Sequence, residues 1–246
     1  MTLDASFARL RALTPYVQGR VRAARVPVAS SLDVDQLEAL LDGVGSARRT
    51  DDERVRVALA LHGSVFYRVM PALGVFLADR RVPCLDPPCT EVSWVGGDTP
   101  GVLSVCGHVV TADADADDHV RLHDALVAAV EPVVAAFARR GPIRERVLWL
   151  SASDTIAGGL LWLGELLGEE ARAAAAATSL LRRPGSPFAS PRADVRTYER
   201  DTASRTVHVR ATCCLSWRLE GGGLCSTCPL VDEANRQRLV LAGLEV

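Results

Sequence analysis

Sixteen residues near the C-terminus hold four cysteines: Cys213-Cys214, ten intervening residues, then Cys225-Ser226-Thr227-Cys228, followed by Pro229. Four thiolates this close in sequence can hold a metal centre, and the centre then dictates the backbone around it. A C-x-x-C turn brings two sulfurs together, Gly221-Gly222-Gly223 lets the loop fold back, and Pro229 stiffens the exit. The vicinal pair is the harder constraint. On a regular strand, adjacent side chains point to opposite faces. Cys213 and Cys214 can both ligate only if the strand ends or bulges there, or if the ligands spread over more than one metal atom. A two-iron cluster offers that wider target, whereas a single tetrahedral zinc prefers two C-x-x-C knuckles. The spacing favours the cluster over zinc, and it also departs from the plant-type ferredoxin pattern.

The remaining composition sets few limits. The chain has 246 residues, 48% apolar and 24% charged, with a net charge of −2. That length buries a substantial core, and the charge gives no field for nucleic acid. All 28 basic residues are arginine, so a single arginine carries little information by itself. No basic region followed by an apolar core opens the sequence, so no signal peptide is expected. Seven cysteines without a secretion signal suggest reduced thiols and a cytoplasmic location. Ile156 to Leu167, the most apolar run, is shorter than a bilayer needs and precedes Glu169-Glu170, so no membrane span is expected.

The fold expected is a single α+β domain over 1–246, mostly helical in its N-terminal and middle regions. A small antiparallel sheet and a C-terminal cluster-binding segment of about 186–246 complete it. Apolar periodicity predicts helices over Ser6–Ala24 with a break at Pro15, from Ser31 or Asp33 to Gly43, over Val55–Met70, and over His119–Arg139. Leu73–Ala78 forms a further apolar run, and Arg144–Leu181 reads as one or two more helices. Glu91–Val95 and Val102–Val110 flank a Gly/Pro turn as a hairpin, and Thr206–Trp217 alternates as a strand into the cysteines.

Cys213-Cys214, ten residues, then Cys225-x-x-Cys228-Pro229 resembles the C-terminal signature of the FhuF-like ferric-siderophore reductases. The run-up is similar: Arg146-Val147-Leu148-Trp149 before an Ala/Gly/Leu helix, a Pro-rich break over Pro184–Pro191, then a strand. The resemblance implies a [2Fe–2S] cluster on Cys213, Cys214, Cys225 and Cys228, and one-electron reduction of siderophore-bound Fe(III), hydroxamate chelates favoured. No dinucleotide fingerprint appears, so the electron is expected from a ferredoxin or a separate reductase. His208, Arg210, Trp217 and Arg218 lie beside the cysteines and are the candidate substrate contacts. Two other readings stay open: a zinc-binding structural module and an iron–sulfur sensor.

Other metal-like groupings have plainer explanations. Cys84 and Cys89, with Cys106, lack a fourth ligand nearby. His108, His119 and His123 flank an acidic loop, and Asp113, Asp115, Asp117 and Asp118 lack the glycine and terminal glutamate of a calcium loop. Trp149 and Trp162 read as core.

Overall fold

The computed structural model describes residues 2–21, 33–86, 90–93, 102–105, 109–110, 117–201 and 203–243. Its centre is a pair of long apolar helices, α3 (Glu53–Asp79) and α5 (Glu145–Leu167), packed on each other. Both are long and apolar enough to cross a membrane, yet 72% of the apolar window of each is buried inside the protein. They are core helices, and the apolar stretch around Ile156 belongs to a helix of 23 residues.

The other helices surround this pair. α1 (Leu3–Leu13) starts where Thr2 Oγ1 accepts the Ala5 N–H and stops before Pro15, so the expected continuation to Ala24 is replaced by β1 (Gly19–Val21). α2 (Val34–Arg48) begins with a reciprocal capping box between Asp33 and Gln36. The expected runs Val55–Met70 and Leu73–Ala78 are one helix, α3, with Pro71 inside it. A proline in a helix interior costs ~3 kcal/mol. Here Val69, Met70, Ala72 and Leu73 are all inaccessible to solvent, so the apolar face runs unbroken through the missing hydrogen bond. α4 (Asp118–Arg140) fulfils the expected helix, and Arg144–Leu181 divides into α5 and α6 (Glu170–Arg182) at Gly168.

Among the described residues, the strands form three small sheets. β2 (Val82–Pro83) pairs antiparallel with β5 (Val109–Val110). β3 (Thr90–Ser93) and β4 (Val102–Val105) are the expected antiparallel hairpin, in register Thr90 to Val105, and its turn lies outside the described residues. β1 adds to β4 in parallel. β6 (Asp194–Arg200) and β7 (Ala203–Val209) form the third pair, with Asp194 opposite Val209. α7 (Glu233–Ala242) closes over β6, where Tyr198, Val240 and Leu241 make a second small core. Two expectations change here. The strand expected over Thr206–Trp217 ends at Val209, and its partner β6 was not foreseen because only Tyr198 of its seven residues is buried.

The Pro-rich break brings β6 and β7 back to the middle of α5. Ser186 Oγ bonds His123 Nε2 at 2.7 Å and accepts the Phe188 N–H at 3.0 Å, while Ser153 Oγ donates to Phe188 O at 2.9 Å. Close approach matters again at the α5–α6 turn, where a Cβ on Gly164 would lie 2.4 Å from Ala173 Cβ and 3.3 Å from Glu169 O. Gly164→Ala is expected to destabilise by ~1–3 kcal/mol because helix and turn backbone must separate. Gly158→Ala meets nothing within 4 Å and is expected to be neutral or to gain up to ~1 kcal/mol. Urea-unfolding midpoints of the two variants test the contrast.

Candidate metal centre

The chain leaving β7 bends around a single buried carboxylate. Asp154 sits mid-way along α5 with its side chain fully inaccessible (0%). It accepts from His208 Nε2 at 2.8 Å, the Ala211 and Thr212 N–H groups at 2.8 Å each, and the Thr212 hydroxyl at 2.6 Å. These bonds take the backbone donors that a longer strand would have given to a neighbour, which is why β7 ends. The Arg210 guanidinium lies on the same carboxylate, Nε to Oδ2 3.7 Å. Burial alone pushes the Asp154 carboxyl up, but His208, the Arg210 charge and Thr212 outweigh it and hold the carboxyl below its usual range.

Freed from the sheet, Cys213 and Cys214 occupy a turn. Leu215 takes a left-handed conformation (φ 62), and its N–H points back to Cys213 Sγ at 3.4 Å. A short 3-10 helix follows over Ser216–Arg218, and the loop then crosses its own backbone. A Cβ on Gly222 would stand 2.2 Å from Ser216 O, so only glycine closes this crossing. The second cysteine pair sits on a turn in which the Cys228 N–H donates to Cys225 O at 3.0 Å. Buried Arg236 of α7 clamps that turn, donating to Ser226 O, Cys228 O and Val231 O at 3.2, 3.1 and 2.7 Å. The Arg210 N–H, donating to Thr227 O at 3.0 Å, joins the two halves.

The thiols meet in two pairs. Cys228 Sγ lies 3.7 Å from Cys213 Sγ, and Cys225 is the electrostatic neighbour of Cys214. Among the described residues, no three or more His, Cys, Asp or Glu side chains gather about one point as a single ion requires. The Cys225 thiol leads in lowering Cys214 to about 4; burial opposes it, and Ser216 and the Arg210 charge assist. Its neighbour Cys214 and burial push the Cys225 thiol up. Burial raises Cys213 as well.

A cavity of about 330 Å³ opens beside these cysteines, between α3, α5 and β7. Phe66 and Trp162, ring centroids 6.1 Å apart, form part of its wall, with Arg210 and Thr227 next to the cysteines and His62, Arg205 and Glu165 at exposed positions. The Thr155 hydroxyl already donates to Ser151 O at 3.0 Å, so the His62 Nδ1–H donates to Thr155 Oγ1 at 2.9 Å. His62 is an exposed residue whose ring is crowded by the cavity wall; that crowding and the Arg210 charge lower its pKa, leaving a neutral ring at pH 7.

Of the candidate substrate contacts, His208 and Arg210 line this cavity, but His208 is buried and bonded to Asp154. Trp217 is 46% exposed, and Arg218 pairs with Asp52, the cap of α3, at 2.8 Å. Trp149 is core, as expected, whereas Trp162 is only half-buried and faces the cavity. Cys89, Cys106, His108, Asp113 and Asp115 lie outside the described residues. Asp154, His62 and Arg236 were not singled out from sequence, although a lone carboxylate inside the apolar run of α5 is a signal for Asp154.

Residues 210–230 match the family model of the FhuF 2Fe-2S C-terminal domain. Over these residues the chain resembles a FhuF-type 2Fe–2S domain. No curated protein matches the chain. The cofactor of the FhuF-type segment is a [2Fe–2S] cluster, and the donor set fits it. Two thiolates on one tetrahedral metal at ~2.3 Å stand ~3.8 Å apart, close to the 3.7 Å between Cys213 and Cys228.

The Asp154 carboxyl is depressed on folding, so it contributes stability above its unfolded value of ~3.9 and loses it as pH falls through the lower folded value. Asp154→Asn is expected to cost ~3–5 kcal/mol at pH 7, since it strands a buried guanidinium. It should also flatten the acid limb of a stability–pH profile measured by urea unfolding.

Proposed function

We propose that the chain is a cytoplasmic ferric-siderophore reductase that passes one electron to siderophore-bound Fe(III) and releases Fe(II). The observation that carries this reading is a set of four cysteines, inside the segment that matches the FhuF 2Fe–2S domain, next to Arg210 and Thr227, which line an open, aromatic-walled cavity. Cys213, Cys214, Cys225 and Cys228 are the cluster ligands in this reading. Two separate sulfur pairs suit two irons better than one zinc, and the net charge of −2 gives little support for a DNA-binding sensor.

When bound, the cluster supplies a one-electron store at low potential. The chain supplies the rest. Asp154 and Arg236 hold the two ligand pairs from α5 and α7, and Arg210 places a positive charge beside Cys214. The cavity admits one arm of a chelate, while the bulk of a siderophore stays outside. Its aromatic rings and neutral His62, with one arginine and one glutamate at exposed positions, suit an uncharged hydroxamate complex. No protein atom needs to ligate the substrate iron, because Fe(II) is held far more weakly than Fe(III) by hard oxygen ligands and leaves once reduced. The cysteine loop exposes Trp217, Leu224 and Leu230, an apolar surface for the protein that donates the electron, a ferredoxin or a separate reductase.

Protein purified without oxygen is expected to be brown, to carry two irons and two acid-labile sulfides, and to bleach with dithionite. The reduced protein should then convert a ferric hydroxamate siderophore to Fe(II), trapped by a ferrous chelator. Colourless protein holding zinc after cluster reconstitution would overturn the reading. Serine at each of the four positions should lower iron content and visible absorbance; a position that leaves both unchanged is not a ligand.

A further inference from the structure

The four thiols have unequal surroundings. Into the Cys213–Cys228 pair, the described residues send one outside hydrogen bond, from the Leu215 N–H. The Cys214–Cys225 pair receives more. Cys214 is bonded by the Ser216 hydroxyl at 3.1 Å and faces the Arg210 charge, and the Thr227 hydroxyl, on the residue whose carbonyl accepts the Arg210 N–H at 3.0 Å, lies 3.6 Å from Cys225. Cys225 is exposed and Cys228 buried, while Cys213 and Cys214 are both half-buried.

We infer that Cys213 and Cys228 hold one iron and Cys214 and Cys225 the other, and that Arg210 makes the second iron the one that accepts the electron. The inference rests on the ligand assignment proposed above. Reduction adds one electron, converts one Fe(III) to Fe(II) and breaks no bond, so the more negative state settles where donors and positive charge meet the sulfurs. Arginine remains charged throughout. Asp154 offsets that charge only in part, because four other donors already share its two oxygens. The carboxylate thereby fixes where the guanidinium stands, and Arg210 acts as a positioning charge for the electron.

The test uses the cluster-loaded chain, with redox titration and Mössbauer spectroscopy of the ⁵⁷Fe-enriched protein after dithionite reduction. Arg210→Met is expected to lower the midpoint potential by about 59 mV or more, a tenfold loss in the one-electron reduction equilibrium. Arg210→Lys should restore most of that shift. Serine oxygen is a harder ligand that favours Fe(III). Cys214→Ser and Cys225→Ser should therefore perturb the ferrous signal, whereas Cys213→Ser and Cys228→Ser perturb the ferric one. An unchanged potential in Arg210→Met, or serine effects that group in any other pairing, overturns the inference while leaving the reductase reading intact. If a serine variant loses its cluster, the two Arg210 variants still decide the matter. A wild-type chain that assembles no cluster overturns the ligand assignment itself.

Discussion

The Asp154 carboxylate is the interaction on which the site depends. Moving a carboxylate out of water costs several kcal/mol even after relaxation, and this one sits inside a helix whose neighbouring residues are almost all buried. It is tolerated because the segment that must stop being a strand donates to it: His208, Ala211 and Thr212 each give a hydrogen bond, and Arg210 gives charge. One buried group thereby ends β7, turns Cys213 and Cys214 out of the sheet, and aims Arg210 at the sulfurs. The geometry of the cysteine loop is therefore written into α5, some sixty residues upstream.

That distance explains what could be read from the sequence. The cysteine spacing, the triglycine loop and the need for the strand to end at the vicinal pair are local, and the structure meets each of them through Val209, Leu215 and Gly222. The helices from Leu3 to Arg182 follow from apolar periodicity, apart from the end of α1 before Pro15, where a strand replaces the expected continuation, and the continuity of α3 through Pro71, where burial on both sides outweighs a local breaker. Asp154 and Arg236 stayed hidden because their meaning lies in partners far along the chain. Arg236 had the weaker signal of the two, being one arginine in a chain whose every basic residue is arginine. β6 escaped because charged residues occupy both of its faces.

The α3–α5 pair places the cavity as well as the core. His62 and Phe66 come from one helix, and Asp154, Gly158, Gly159 and Trp162 from the other, so the cavity wall belongs to the most rigid part of the molecule. A Cβ on Gly159 would overlap the Met70 thioether, which packs against this glycine just behind that wall. Packing at this density transmits small shifts between elements rather than absorbing them. The cysteine loop therefore meets a fixed surface, and adjustment to a bulky ligand falls to side chains at the cavity mouth.

The two halves of the sulfur set hang from different supports, Cys213 and Cys214 from α5 through Asp154, Cys225 and Cys228 from α7 through Arg236. α7 rests mainly on the small cluster of Tyr198, Val240 and Leu241 and not on the main core. Opening of the molecule is therefore lopsided. Fraying of the last helix releases one sulfur pair while the other stays anchored, and the site can admit or lose its inorganic contents like a hinged clasp, without the helical body unfolding.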